Sequence, residues 1–174
     1  MEEIEVPVEH LHETIQEKAE EAIREAKEKK WSMYVAVSTA LMAVFAAIAG
    51  LMAGHHSNEA LIEQIKASDQ WSFYQAKGIK AEIKNLAVTS GTADAASVQR
   101  YKAEQDDIKN KAQEAETLSE QHLASHVVLS RAVTLFQIAI AISAISILTK
   151  KRFLWIVAMI IALMGLVFFL QGVF

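Results

Sequence analysis

Cysteine is absent from the chain, and proline and glycine are scarce, with one and six copies among 174 residues. Without cysteine the protein can form neither disulfides nor thiolate metal sites, and it has no cysteine nucleophile. The single proline, Pro7, precedes every long periodic segment. No run of alternating polar and apolar residues bounded by turn residues is present, so nothing predicts a sheet. These absences favour an all-α fold.

A concentrated positive charge is also missing. The formal net charge is −4, and no basic patch predicts binding to nucleic acid. Hydrophobic residues nevertheless make up 52% of the chain and charged residues 22%. The apolar residues are gathered into long runs, which is typical of a membrane protein in contact with lipid.

Three apolar runs are long enough to cross a bilayer, and they cover residues 31–53, 127–149 and 153–174. Basic residues lie before the first run and in the loop 150–152, whose sequence is Lys-Lys-Arg. Since short basic loops stay in the cytoplasm, we expect the N-terminus and this loop inside. The block 54–126 and the C-terminus are then periplasmic.

Residues 1–30 form a charged segment with a narrow apolar stripe at Ile15, Ala19, Ala22 and Ala26. The spacing predicts an amphipathic helix in the cytoplasm. It could be a docking helix or a self-associating coil, or a solvated extension of the first span.

The block 54–126 is divided by a predicted turn near residues 89–94. Gly91 suits the left-handed position that ends a helix, and Thr92 is a suitable cap for the next one. Each arm, from apolar run to turn, has roughly 36 residues and would be about 54 Å long as a helix. The sequence therefore predicts an antiparallel, coiled-coil-like helical hairpin outside the membrane. Ser57 could cap its first helix, unless that helix simply continues from the membrane.

Both arms carry three-four spacing that predicts a seam for a partner helix. In the first arm the positions are Leu61, Ile65, Ser68, Ser72, Ala76, Ile79, Ile83 and Leu86. In the second they are Val98, Tyr101, Gln105, Ile108, Ala112, Ala115, Ser119 and His122. Two such arms alone would be marginal in water, so we expect arms from several subunits to bundle.

Candidate subunit contacts lie in two places. Gly50 and Gly54 follow Ala46 at four-residue spacing, which lets helix backbones approach closely within one chain or between two. Trp71, Phe73 and Tyr74 cannot all face one seam. They either pack over the hairpin itself or form a subunit interface, for which aromatic residues are favoured.

Four histidines should lie at one level if the arms are antiparallel: His55, His56, His122 and His126. The last two are four residues apart on one helix face, a spacing that can hold Zn²⁺ or Cu²⁺. Otherwise these histidines cap helix ends and bind water. No cofactor is predicted apart from this metal.

Within the spans, Gln137 and Arg131 are the notable polar residues. Arg131 lies near the end of its span and can reach the headgroups, whereas Gln137 is more central and could bond to a neighbouring helix. An oligomer could also line a pore with Ser38, Thr39, Gln137, Ser143 and Ser146. No phosphate loop, nucleophile elbow or HExxH motif is present, so we expect no enzyme.

The stretches from Gly54 to Leu61 and from Ala67 to Lys77 resemble a bacterial membrane family defined as domain of unknown function 4337. With the Glu-rich first helix and three spans, the resemblance covers nearly the whole chain. It implies a helical protein of the bacterial inner membrane and brings no activity, cofactor or catalytic residue. It draws attention to Asp69, Trp71, Tyr74, Lys77 and their neighbours as a candidate subunit-contact surface.

These patterns together predict a non-enzymatic, homo-oligomeric membrane scaffold in contact with lipid, with an unidentified protein partner as a further expectation. A channel along an oligomer axis is the alternative. A metal-binding or metal-sensing protein is the third.

Overall fold

The computed structural model describes residues 8–91 and 95–174, and it is helical throughout these ranges apart from two short connections. The helices are α1 (Val8–Thr89), α2 (Ala95–Thr149) and α3 (Arg152–Val173). The all-α expectation is confirmed. All three helices of the described ranges are long and apolar enough to cross a membrane.

The first helix is a single rod of 82 residues, about 123 Å long. It passes without interruption from the charged N-terminal segment through the apolar run and into the polar block. Ser57 therefore lies inside a helix and does not cap one. The segments 1–30, 31–53 and the first arm are parts of one helix from Val8 onward. Pro7 lies outside the described residues.

The helix α1 ends at Thr89, inside the region in which the turn was predicted. Gly91 has a φ of 74°, the left-handed conformation expected there. Thr92, the expected cap of the next helix, lies outside the described residues. The connection from α2 to α3 is tighter. Its Lys150 also has a left-handed φ of 55°, which nothing in the sequence pattern indicated.

The second helix packs closely against both of the others, whereas the backbones of α1 and α3 stay further apart and meet mainly through side chains. Ala53, Ala60 and Lys77 of α1 contact His126, Ser119 and Glu104 of α2, respectively. The partner's number falls as the α1 number rises, so the two helices lie antiparallel. The apolar segments of the three helices share one core, whose buried members are Met42, Ala49, Ala132, Phe136, Ala139, Ala158 and Ala162. Phe45 links the helices there, because its ring contacts Phe136 on α2 and Phe169 on α3.

The contact face of α2 agrees with its predicted seam, since Val98, Ile108, Ala112, Ala115 and Ser119 are buried. The contact face of α1 does not. Small side chains face α2, with Ala53, Ala60, Ala67 and Ala81 all buried. Of the predicted seam, Leu61, Ile65, Ile79, Ile83 and Leu86 are 60–70% exposed. This row does not face α2, because small residues allow the closer approach. Its use as a seam for another partner helix stays a prediction.

Candidate functional site

The histidines meet where the apolar part of α1 gives way to its polar part. The Nδ1 atoms of His56 on α1 and His122 on α2 are 3.0 Å apart, so one ring donates its proton and the other accepts it. His126 donates from Nδ1 to the carbonyl oxygen of Ala53 at 2.8 Å. His55 is exposed, with its ring 5.7 Å from that of His56. The four histidines therefore lie at one level, as the arm lengths predicted.

A metal could take two ligands from His56 and His122, but a tetrahedral zinc site needs more. Within the described residues, no group of three or more histidine, aspartate or glutamate side chains is arranged to hold a metal ion. The zinc or copper site stays a prediction. The geometry shows instead a hydrogen bond between His56 of α1 and His122 of α2, at the edge of the apolar region.

Burial and nearby charges both change the pKa of His56. Partial burial lowers the pKa of His56, and positive charge on His122, His55 or His126 lowers it further. Glu59 opposes these effects. The folded protein therefore favours the neutral form of His56, which is the form that can accept a proton from His122.

Residues of the aromatic cluster contact the α2 arm of the same chain. Trp71 donates from Nε1 to Oε1 of Glu116 at 2.8 Å, and Tyr74 packs edge-on against the Trp71 ring. Lys77 pairs with Glu104, an interaction that lowers the pKa of that carboxyl. Gln105 donates to the carbonyl oxygen of Tyr74 at 3.3 Å. Of the two alternatives for the aromatic residues, the structure has Trp71 and Tyr74 packed over the second arm, whereas Phe73 is exposed. A subunit interface that includes them stays a prediction.

The other candidate subunit contacts are open. Asp69, Phe73, Gly50 and Gly54 are all exposed. A Cβ atom added at Gly54 would meet nothing within 4 Å, whereas one at Gly50 would touch Val133 at 3.9 Å. The ammonium of Lys77 lies 5.4 Å from the centre of the Phe73 ring. These four residues remain available to another molecule.

The polar residues of the apolar segments face in different directions. Ser143 and Ser146 are fully buried between helices, and Ser146 donates to the carbonyl oxygen of Lys151 at 3.0 Å. Gln137 and Arg131 are exposed on α2. The bond that Gln137 was expected to make is not among those within the described part of the chain. These side chains do not share one surface.

Two further features escaped sequence reasoning. Lys150 pairs with Glu28 at 2.7 Å, and Arg152 lies over the ring of Trp31. The hydrogen bond and charge of Lys150 lower the pKa of Glu28. An apolar groove of about 430 Å³ also opens between α1 and α3, lined by residues such as Phe45, Phe136 and Met159. Spacing along one segment could not reveal contacts between segments 122 residues apart.

Acidification should weaken the folded protein through His56. Its folded pKa is below the ordinary value of about 6.5, so the unfolded chain binds more protons just below that pH. Stability should therefore fall as pH drops from about 6.5 through the lower folded pKa. The measurement is the thermal unfolding temperature of the full chain in nanodiscs between pH 7.5 and 5. The variant His56→Gln should lose part of this decline, whereas the neighbouring His55→Gln should keep most of it, because burial is the largest cause of the His56 shift. Equal declines in both variants would contradict the assignment.

Comparison with known proteins adds a family. No curated protein and no solved structure matches the chain. One family profile, described as a domain of unknown function (DUF4337), matches residues 31–174. This range contains the three apolar runs, the four histidines and the aromatic cluster, and it omits only the charged segment at the start. The chain belongs to the DUF4337 family.

Proposed function

We propose that the chain is a non-enzymatic, homo-oligomeric scaffold of the bacterial inner membrane. Its three apolar segments cross the bilayer, and the polar parts of α1 and α2 form a hairpin that projects about 50 Å into the periplasm. This hairpin is a platform for protein contacts. The proposal depends on shape and exposed surface, because the polar side chains inside the hairpin bond to one another.

One observation carries the proposal. Five large aliphatic side chains on the polar part of α1, from Leu61 to Leu86, are 60–70% exposed. In a periplasmic arm they would face water, where large exposed apolar side chains aligned on one helix face mark a contact surface. The expected bundling of arms from several subunits would cover them.

The positions of the basic segments agree with the proposed orientation. The two basic segments that predicted a cytoplasmic side come together at one end of the apolar segments, where Lys150 bonds to Glu28 and Arg152 lies over Trp31. A single membrane face can therefore hold both, as the rule for positive residues requires. Trp31 is then placed at the headgroup level, where tryptophan is favoured.

The alternative of a channel has less support. A pore needs polar side chains along one surface of the spans. Ser143 and Ser146 are buried within the chain, whereas Gln137 is exposed. Packing of subunits would not bring all three to a common axis.

Self-association is tested by native mass spectrometry of the full chain released from nanodiscs. We expect a multiple of the 19.3 kDa chain mass, because the exposed aliphatic row is covered only in an assembly. A chain that is monomeric over the whole concentration range, with its hairpin intact by circular dichroism, would contradict the proposal.

The orientation is tested with single cysteines, for which the natural chain gives no background. Thr117→Cys lies on the exposed side of the α2 arm and should react with a membrane-impermeant maleimide in intact spheroplasts. Lys29→Cys, exposed at the opposite end, should react only after permeabilisation. The reverse pattern would overturn the orientation.

A further inference from the structure

The exposed row on α1 continues beyond the hairpin into the apolar segment. At 100° per residue, the residues Leu61, Ile65, Ser72, Ile79, Ile83 and Leu86 lie within about 40° of one line. Ala36, Ala40, Ala43, Ala47, Gly50 and Gly54 lie on the same line towards the N-terminus. All twelve are exposed. We call this line of residues the outer face of α1; it points away from α2.

The chemistry of the outer face changes where α1 leaves the apolar segment. From Ala36 to Gly54 its side chains are small, and from Leu61 onward they are mostly large and aliphatic. In lipid, helices gain energy by close van der Waals contact, which small residues permit. In water they gain it by removing large apolar side chains from solvent. Each half thus carries the residues that drive helix association in its own surroundings.

We propose that a second copy of this chain packs on the outer face of α1, parallel and in register, through both halves of the helix. The proposal rests on the scaffold function above, because it needs two copies in one membrane. It moves the subunit interface away from Trp71 and Tyr74, which are used against α2, and keeps Gly50 and Gly54 within it.

The length of the outer face and the orientation of the chain in the membrane favour α1 of a second copy as the partner. The outer face from Ala36 to Leu86 is about 75 Å long, so its partner must be a helix that also passes unbroken from lipid into water. In the described ranges both α1 and α2 are such helices. The polar part of α2, as far as it is described, exposes only Leu118 and Leu123 as large hydrophobic side chains, so α1 has the matching face. Copies inserted in the same direction are related by rotation about the membrane normal, which brings α1 against α1 in parallel.

The area is sufficient for a stable pair. A strip about 75 Å long and about 10 Å wide, the width of a helix, covers about 750 Å² on each chain. Stable interfaces of standard size bury about 800 Å² on each partner.

Charges beside the outer face are complementary in this arrangement. Lys80 and Glu82 lie about 80° to opposite sides of its centre line and about 3 Å apart along the axis. Both are exposed, and neither belongs to an ion pair within the described segments. In a parallel twofold pair, Lys80 of one copy lies on the same side as Glu82 of the other. Asp69, on the Lys80 side, meets the neutral Gln64 and Gln75.

Disulfide cross-linking of the full chain in membranes tests the geometry. The single-cysteine variants are Ser72→Cys in the polar half and Ala47→Cys in the apolar half, with Thr117→Cys on α2 as the exposed control. Both outer-face variants should give covalent dimers on oxidation, with a yield about tenfold above the control. Residue 47 and residue 72 can each lie opposite the same residue of the other copy only if the two α1 helices are parallel and in register. In an antiparallel pair, only one level along the helix lies opposite its own copy.

A charge on the outer face should weaken association without unfolding the chain. Ile79→Lys places an ammonium at a position that is exposed in the monomer, so the monomer should keep its helix content. Its dimerisation should be at least about tenfold weaker than that of the natural chain, a difference measurable by native mass spectrometry over a dilution series. The control Thr117→Lys should dimerise like the natural chain.

The outcomes separate this inference from the proposed function. If the natural chain is oligomeric but Ser72→Cys and Ala47→Cys cross-link no better than Thr117→Cys, the interface lies elsewhere and only the inference fails. If the natural chain is monomeric, self-association fails and the inference fails with it. Cross-linking at both outer-face positions together with weakening by Ile79→Lys supports both.

Discussion

Close approach of α1 and α2 is the constraint on which the rest of the structure depends. It is permitted by small side chains at successive contact positions along both helices. On α1 these are Ala49, Ala53, Ala60 and Ala67, and on α2 they are Ala112, Ala115, Ala132 and Ala139, all buried. Only at this separation can Ser119 donate to the carbonyl oxygen of Ala60, at 2.9 Å, and His56 contact His122. The polar contacts then fix the register that the alanines allow.

The same constraint determines which surfaces remain open. Because the small residues of α1 face α2, its larger aliphatic side chains are left outside. A helix that buried Leu61 and Ile65 against α2 would stand further from it and could not form the bond from Ser119. The exposed apolar row is thus a consequence of the alanine contacts, and it gives the molecule a surface that a second copy can cover. Aromatic residues such as Trp71 strengthen the contact between α1 and α2 and take no part in the proposed contact between two copies.

Much of the architecture could be predicted because lipid and backbone impose strong limits on sequence. A long apolar run must be helical, and Gly91 could be placed in a turn because left-handed φ angles favour glycine. The common level of His56 and His122 followed from equal arm lengths. The face of α1 that packs against α2 did not follow from the sequence, for a physical reason. A search for large hydrophobic residues selects Leu61, Ile79 and Leu86. Close packing of helices depends instead on small side chains such as alanine, which contribute little to a hydrophobic pattern.

Contacts between distant segments could not be predicted from local patterns. Lys150 adopts a left-handed conformation although glycine is the usual residue there, and its side chain reaches Glu28. The proton shared by His56 and His122 needs an interatomic distance that spacing along the chain does not fix. Function is further removed, because the family carries no described activity and the site must be inferred from surfaces.

The most direct test of the account is whether the alanine face of α1 lies against α2. Ala67 and Ala112 are both fully buried. They lie at the same level of the two helices, midway between the contacts of Ala60 with Ser119 and of Tyr74 with Gln105. A double variant with cysteine at both positions should form a disulfide within one chain on oxidation, seen as a faster-migrating monomer on a non-reducing gel. If Ala112→Cys instead paired with cysteine at Ile65, on the outer face, the arrangement described here would be wrong.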